Sequence, residues 1–165
     1  MKKLDLTVNG KAHSMQVDER SLLVDVLRND LDLKGTHVGC DTSQCGCCTV
    51  LLNGSAIKSC SILALQAQGG DVLTIEGLSK PGETAHPVQQ AFSQCHALQC
   101  GYCTPGMVMA TVGLLRTCPN PTESEIAHGL EGNLCRCTGY VNIARAVHEA
   151  AQHMASAELP AGGKP

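Results

Sequence analysis

Aromatic side chains are nearly absent from this sequence. Its 165 residues include one Phe, two Tyr and no Trp. A core built on large rings is therefore excluded, and a chain of this length suits one larger domain or two small ones. Because units below roughly 80 residues seldom hold together on a hydrophobic core alone, two small domains need an additional staple or metal.

The sequence also lacks the usual membrane-targeting and membrane-spanning segments. Its start, "MKKLDLTVNG", alternates apolar and polar residues at once, without the apolar stretch of a signal peptide or a twin arginine. No apolar run approaches the roughly 18 residues of a membrane span. The formal charge of −3 provides no basic surplus for nucleic acid. We therefore expect a cytoplasmic protein without a membrane span or a nucleic-acid partner.

Cysteine, in contrast, is abundant. The eleven cysteines are an odd number, so they cannot all pair as disulfides within one chain. In a reducing compartment, clustered cysteines indicate metal binding more often than disulfides. The composition therefore points to a metalloprotein.

Residues 1–76 predict a small mixed sheet of four or five strands crossed by one helix. Asn-Gly dipeptides at 9–10 and 53–54 each separate two alternating segments, the strongest short signal for a hairpin. The segment "SLLVDVLRNDL" predicts the helix, with Ser21 as its N-cap. The segment "DVLTIEGL" predicts a final strand.

The second half has a helical pattern. Residues 77–86 hold two Gly and one Pro and predict a linker. Residues 87–154 predict a bundle of helices, and residues 155–165 a flexible tail. Within the bundle, the dipeptide Thr104-Pro105 predicts an N-cap followed by an N1 proline. The pair Thr122 and Glu125 predicts a capping box that opens the next helix.

The first cysteine set lies in "GCDTSQCGCCTV". The spacing of Cys40, Cys45 and Cys48 matches the plant-type ferredoxin loop of a [2Fe–2S] cluster, which takes a fourth cysteine from further along the chain. Cys60, beyond the second hairpin, can return to supply it. Cys47 breaks this spacing and is therefore predicted to be a spare thiol.

The second set lies in "QCGYCTPG" and "GNLCRCTGY". It consists of Cys100, Cys103, Cys135 and Cys137, at positions where helices begin or end. Because helix N-termini present free N–H groups to thiolates, two such termini can meet over one centre. Four thiolates on a rigid bundle suit a second [2Fe–2S] cluster.

Two other interpretations stay open, a redox dithiol at the second set and zinc at one or both sets. "CGYC" resembles a thioredoxin-type dithiol, but a dithiol leaves Cys135 and Cys137 unexplained. A structural zinc site also uses four cysteines, although C-x-C is an unusual zinc half-site. Cys95 and Cys118 lie outside both patterns and are predicted to be buried small hydrophobes. No nucleotide-binding or nucleophile motif is present, so no catalytic residue is predicted in this chain.

Together, the motifs resemble those of one family. "GCDTSQCGCCTV", "KSC", "QCGYCTPGM", "NPTESEI" and "GNLCRCTGY" are similar in order and spacing to the small iron–sulfur subunit of the molybdenum hydroxylases. This is the xanthine oxidase superfamily, and the likeness is to its separate-subunit, carbon monoxide dehydrogenase type. The resemblance spans about residues 3–154. One difference is Cys47, since relatives usually have a small residue such as alanine there.

The resemblance implies an α+β architecture. An N-terminal β-grasp [2Fe–2S] ferredoxin domain, residues 1–76, is followed by an all-α four-helix-bundle [2Fe–2S]-binding domain, residues 87–154. It also implies a large partner subunit with molybdopterin-bound molybdenum, commonly a medium FAD-binding subunit, and a dimer of heterotrimers.

The resemblance further implies a role for each cluster. The cluster of Cys100, Cys103, Cys135 and Cys137 is expected beside the pterin, which Gln99 and Cys137 approach, and the other cluster nearer the flavin. The chain would then relay single electrons from molybdenum through both clusters toward FAD or another acceptor, with the substrate chemistry on the partner. The alternatives are a freestanding two-cluster ferredoxin and a zinc-stapled adaptor. The sequence does not select among carbon monoxide, aldehydes, purines, N-heterocycles and aromatic acyl thioesters as substrates.

Overall fold

The N-terminal half forms a mixed five-stranded sheet with the order β2-β1-β5-β3-β4. The computed structural model describes residues 1–79 and 82–158. The strands are β1 (Lys2–Val8), β2 (Lys11–Val17), β3 (Thr49–Leu52), β4 (Ser55–Lys58) and β5 (Asp71–Leu73). β1 pairs with β5 in parallel, and the other neighbouring strands are antiparallel.

Both predicted hairpins are confirmed. Asn9 and Gly10 adopt φ of 51° and 76°, and Asn53 and Gly54 adopt 51° and 86°. Two consecutive positive φ angles are the geometry of a type I′ turn, which Asn-Gly tolerates best. The β3–β4 hairpin matters for the site because it reverses the chain between Cys48 and Cys60. It thereby returns Cys60 toward the first cysteine loop.

The helix that crosses the sheet differs from the prediction. It has one α turn, α1 (Leu23–Asp25), that continues as a π turn over Val26–Asp30. Ser21 is not the N-cap, since Leu22 holds that position and makes no side-chain cap bond. The Ser21 carbonyl instead accepts from the Ala64 backbone N–H. This pairing with the neighbouring segment delays the helix by one residue.

The final strand is shorter than predicted. β5 ends at Leu73, and Ile75–Gly77 form a 3₁₀ turn. The reason is the Asn9 side chain, whose Oδ1 accepts from the Thr74 backbone N–H at 2.9 Å and whose Nδ2 donates to the Thr74 hydroxyl at 3.0 Å. These bonds take the place of further sheet pairing. Two more 3₁₀ turns lie at Ser59–Ser61 and Ala64–Ala67.

Four helices follow. They are α2 (Pro87–Gln94), α3 (Thr104–Thr117), α4 (Glu123–Leu130) and α5 (Val141–Glu158). The N-cap of α3 is Cys103 rather than Thr104, so the predicted cap is one residue late. α5 extends into the predicted tail, and residues 159–165 of that tail lie outside the described residues. Within the described ranges, no helix is both long and apolar enough to cross a bilayer.

Two apolar cores support these elements. One lies between the sheet and α1, with Leu4, Leu23 and Val50 fully buried. The other lies among the four helices and includes Leu51 of β3. Successive side chains of a strand point to opposite faces of the sheet, so Val50 packs into the first core and Leu51 into the second. β3 therefore joins the sheet to the bundle.

The capping box of α4 provides a test of helix stability. Thr122 accepts from the Glu125 backbone N–H at 3.3 Å, and the Glu125 carboxylate accepts from the Thr122 N–H at 2.7 Å. We expect Thr122→Ala to lower the free energy of unfolding by about 1 kcal/mol. Denaturant unfolding followed by circular dichroism measures this, with the neighbouring Ser124→Ala as the control. Equal stability of the two variants would contradict a capping role.

Candidate metal centres

The first cysteine loop is arranged around Cys40. The Cys45 backbone N–H donates to Cys40 Sγ at 3.4 Å. Hydrogen bonds from the backbone N–H groups of Cys45, Thr42 and Gln44 lower the pKa of Cys40 to about 6. A loop that directs N–H groups at sulfur favours the thiolate, which is the form that binds metal.

Cys48 and Cys60 meet at the base of the β3–β4 hairpin. The Ser59 backbone N–H and hydroxyl both donate to the Cys48 carbonyl, at 3.2 and 2.7 Å. The Cys60 thiol interacts with that of Cys48, and burial raises the pKa of Cys48 to about 11. Lys58 Nζ donates to the Ser43 carbonyl at 2.6 Å and so ties the hairpin to the cysteine loop. The structure thus brings the predicted fourth cysteine to the first set.

The second set joins the start of α3 to the loop before α5. Cys103 is the N-cap of α3, and its thiol interacts with those of Cys135 and Cys100. Burial raises the pKa of Cys103 to about 12. Cys137 interacts with Cys100 and Cys135, which completes a group of four thiols. Cys100 and Cys137 are exposed, whereas Cys135 is buried.

Hydrogen bonds fix the Cys135 side of this group. Cys135 Sγ lies 3.2 Å from the Thr138 hydroxyl and accepts from the Thr138 backbone N–H at 3.4 Å. Burial acts to raise the pKa of Cys135, but these hydrogen bonds outweigh it and the pKa is lowered. The Cys135 backbone N–H donates to the Tyr140 hydroxyl at 3.0 Å. The loop is therefore held by hydrogen bonds among its own residues.

Tyr102, inside "CGYC", connects the two cysteine loops. Its hydroxyl donates to the Val38 carbonyl at 2.8 Å, and its ring stacks on that of His37 with centroids 4.6 Å apart. His37 Nδ1 lies 2.8 Å from the Tyr102 carbonyl oxygen. His37 and Val38 directly precede the first loop, so one tyrosine positions both segments.

Asn133 makes a second connection. It is buried, and its Nδ2 donates to the Gly46 carbonyl at 2.9 Å and lies 3.3 Å from the Thr49 hydroxyl. The Leu134 backbone N–H donates to the Cys45 carbonyl at 2.9 Å. No sequence pattern marks Asn133 or Tyr102 for this role, because both residues contact positions that are far away along the chain.

The donor sets fit two [2Fe–2S] clusters. Each group supplies four thiols, and such a cluster is held by four cysteines distributed over two irons. Within the described residues, no three His, Cys, Asp or Glu side chains are placed to hold a single metal ion. The Thr104 hydroxyl is buried next to Cys103 without a protein partner among the described residues, so it is available to a cluster sulfur. Since thiols are ligands only as thiolates, binding of a cluster would release the protons that burial retains on Cys48 and Cys103.

The structure also places the predicted residues that lie outside the two groups of thiols. Cys47 and Cys95 are buried, as expected for Cys95, but Cys118 is only half-buried at the end of α3. Gln99 is exposed and directly precedes Cys100. The structure therefore places Gln99 at the exposed side of the second group.

Exposed apolar residues lie close in the sequence to the cysteines of both groups. Six large hydrophobic side chains that are at least 42 % exposed lie within four residues of a cysteine in one of the two sets: Val38, Leu98, Tyr102, Leu134, Tyr140 and Val141. Exposed apolar residues gathered at one site, rather than scattered, are typical of a surface that a partner covers. We call this set the apolar rim.

Comparison with known families identifies both halves of the chain. Residues 6–74 match the family described as "2Fe-2S iron-sulfur cluster binding domain". Residues 74–148 match the family described as "[2Fe-2S] binding domain". The chain thus contains two [2Fe–2S]-binding domains in the predicted order.

Relatives and solved structures agree with this assignment. The chain is 46 % identical to the nicotine 6-hydroxylase small subunit of Paenarthrobacter nicotinovorans, over 90 % of this chain and 88 % of that one. It matches quinoline 2-oxidoreductase from Pseudomonas putida 86 with a TM-score of 0.89 and 40 % identity, over 96 % of this chain and 98 % of that one. It matches the aldehyde oxidoreductase of Desulfovibrio gigas with a TM-score of 0.90 and 38 % identity, over 96 % of this chain but 18 % of that one. The chain therefore belongs to the small [2Fe–2S] iron–sulfur subunits of the molybdenum hydroxylase, or xanthine oxidase, superfamily.

Proposed function

We propose that this chain relays single electrons from a molybdopterin centre on a large subunit toward FAD or another acceptor. When bound, each [2Fe–2S] cluster takes up and releases one electron at a time. The observation that carries the proposal is the direct contact between the two cysteine loops, through Tyr102 and Asn133. This contact supports transfer between the two centres within one chain.

The residue assignments form part of the proposal. The first cluster is held by Cys40, Cys45, Cys48 and Cys60, and the second by Cys100, Cys103, Cys135 and Cys137. We assign the first to a domain of residues 1–76 and the second to a domain of residues 87–154, joined by a linker at 77–86. The interactions among the thiols within each group support this division.

Electrons enter, in this proposal, at the second cluster. Cys100 and Cys137 are exposed, and five of the six residues of the apolar rim lie within four positions of one of them in the sequence, which supports docking of the large subunit on this side. Gln99 and Cys137 are then the residues that approach the pterin. We further propose a medium FAD-binding subunit, a dimer of heterotrimers and a cytoplasmic location.

The relatives support a role that is independent of substrate. Those described above are named for nicotine, quinoline and aldehydes, which are chemically different. A type of chain that occurs in enzymes for such different substrates fits electron transfer better than substrate recognition. We therefore assign the substrate selectivity to the large subunit.

Low-temperature EPR of the dithionite-reduced native complex tests the proposal, with iron and acid-labile sulfide counted on the same sample. We expect two distinct spin-half signals and about four iron and four sulfide per chain, since two [2Fe–2S] clusters contain that number. One signal with half the iron would mean that one cysteine group is wrongly assigned. Zinc without sulfide would favour the adaptor, and a stable monomer with both clusters in cell extract would favour the freestanding ferredoxin.

A further inference from the structure

The Cys135 sulfur has two hydrogen-bond donors in its own loop. It lies 3.2 Å from the Thr138 hydroxyl oxygen and accepts from the Thr138 backbone N–H at 3.4 Å. Cys135 is only 8 % exposed and is the buried member of the second group, since Cys100 and Cys137 are exposed and Cys103 is half-buried. One threonine therefore offers a backbone donor and a side-chain donor to the most buried cysteine of that group.

The other hydrogen bonds of the loop leave the Thr138 O–H free for this sulfur. The Thr138 hydroxyl oxygen accepts from the Tyr140 backbone N–H at 3.4 Å, and the Tyr140 hydroxyl oxygen accepts from the Cys135 backbone N–H at 3.0 Å. A hydroxyl whose oxygen accepts on one side still has its one O–H to donate on another. A cysteine that binds metal does so as a thiolate, so its sulfur can only accept. The Thr138 hydroxyl is then the donor of this pair.

From this geometry we propose that Thr138 is a tuning residue, whose hydroxyl donates to the Cys135 sulfur and raises the reduction potential of the second cluster. The inference rests on the proposed function, because it assumes that Cys135 is a ligand of that cluster. Reduction adds negative charge to the cluster, so a donor to a ligand sulfur stabilises the reduced state more than the oxidised one. The burial of Cys135 strengthens the effect, since a hydrogen bond is stronger where little water screens it.

The direction of the effect suits the point at which electrons enter. In the proposed relay, one electron passes from the molybdenum centre to the oxidised second cluster, no bond forms or breaks, and the Thr138 hydroxyl keeps its proton. A higher potential at the second cluster makes this transfer more favourable. Thr138 thus favours the uptake of electrons from the large subunit.

The test is an EPR-monitored redox titration of the native complex carrying Thr138→Val or Thr138→Ser. Valine has nearly the shape of threonine, but its side chain has no donor. In Thr138→Val we expect a roughly tenfold fall in the equilibrium constant for one-electron reduction of the second cluster, about 59 mV, which is the size of one hydrogen bond to a charged group. Thr138→Ser retains the hydroxyl, so its second cluster should stay near the potential of the unmodified complex. The potential of the first cluster should change less than that of the second in Thr138→Val.

Thr117→Val is the matched control, because it exchanges a hydroxyl for a methyl group at the other end of α3. The Thr117 hydroxyl donates to the Leu114 carbonyl at 3.0 Å, about 20 Å from Cys103 at 1.5 Å per residue. This variant should leave both potentials unchanged. An unchanged second potential in Thr138→Val overturns the proposal, and so does a fall in Thr138→Ser as large as that in Thr138→Val.

Thr138→Ala covers the case in which valine does not fit the loop. If Thr138→Val loses the second EPR signal, Thr138→Ala removes the hydroxyl without adding a methyl group and should show the same fall in potential. Loss of the second signal in both variants, with Thr138→Ser intact, would mean that the hydroxyl is needed to assemble the cluster and overturns the tuning role. Failure of the relay itself is distinguishable, because the unmodified complex would then lack two EPR signals.

Discussion

Replacing Cys103 by serine is expected to remove the second [2Fe–2S] cluster and to leave the first in place. Cys103 is the N-cap of α3, and its thiol interacts with both Cys135 and Cys100. Its loss takes one of four proposed ligands from the second cluster. All proposed ligands of the first cluster lie within residues 40–60, so that cluster keeps its full set. Iron should fall from about four to about two per chain, with one EPR signal remaining.

Cys48→Ser is the reciprocal variant. Cys48 is buried beside Cys60, and its loss should remove the first signal and spare the second. The Cys118→Ala variant controls for the loss of a thiol as such. If either ligand variant loses both signals, the two loops depend on each other for assembly. The contacts of Tyr102 and Asn133 would then be the first place to search for that dependence.

Much of the fold follows from local sequence. Each Asn-Gly dipeptide determines a hairpin by itself, because both of its residues accept a positive φ that other residues resist. The Thr122–Glu125 box likewise starts α4 with two bonds that span three residues. The cysteine groups could be predicted because ligand spacing within a loop reflects the size of the cluster. Cys60 required only a hairpin to return the chain.

The contacts between the two loops could not be predicted in this way. Asn133 and Gly46 are 87 positions apart, and Tyr102 and Val38 are 64 apart. Neither contact has a period or a spacing that a pattern can detect. The predicted start of α1 at Ser21 was wrong for the same reason. The pairing of Ser21 with Ala64 is a tertiary contact, and it overrides the local preference of serine for the N-cap.

Replacing Gly106 by alanine is expected to destabilise the chain by about 3 kcal/mol, the upper part of the range for an overpacked contact. In a helix interior this change usually stabilises by up to about 1 kcal/mol. Here the new Cβ would lie 2.2 Å from the Gly46 carbonyl oxygen and 2.9 Å from Cys47 Cα. Both neighbours are backbone atoms, so no side-chain rotation relieves the overlap.

The cysteine loop has no room to withdraw from that Cβ. Asn133 Nδ2 donates to the same Gly46 carbonyl from the second half of the chain, and a Cβ on Gly46 would itself lie 2.5 Å from the Gly132 carbonyl oxygen. The loop is therefore enclosed between α3 and the segment that precedes Cys135. Separation of α3 from the loop should lower the EPR signals of both clusters together. Cys103→Ser and Cys48→Ser, in contrast, should each remove one signal. Denaturant unfolding of the chain and EPR of the complex measure the two effects.

Gly129→Ala in α4 is the matched control for Gly106→Ala. Its new Cβ would meet the Leu114 side chain, with the nearest atoms at 2.9 Å. Because the end of a leucine side chain can move, we expect a much smaller loss of stability and two intact EPR signals. If Gly106→Ala is as stable as Gly129→Ala and keeps both signals, α3 does not hold the first loop. The link between the clusters would then depend on Tyr102 and Asn133 alone.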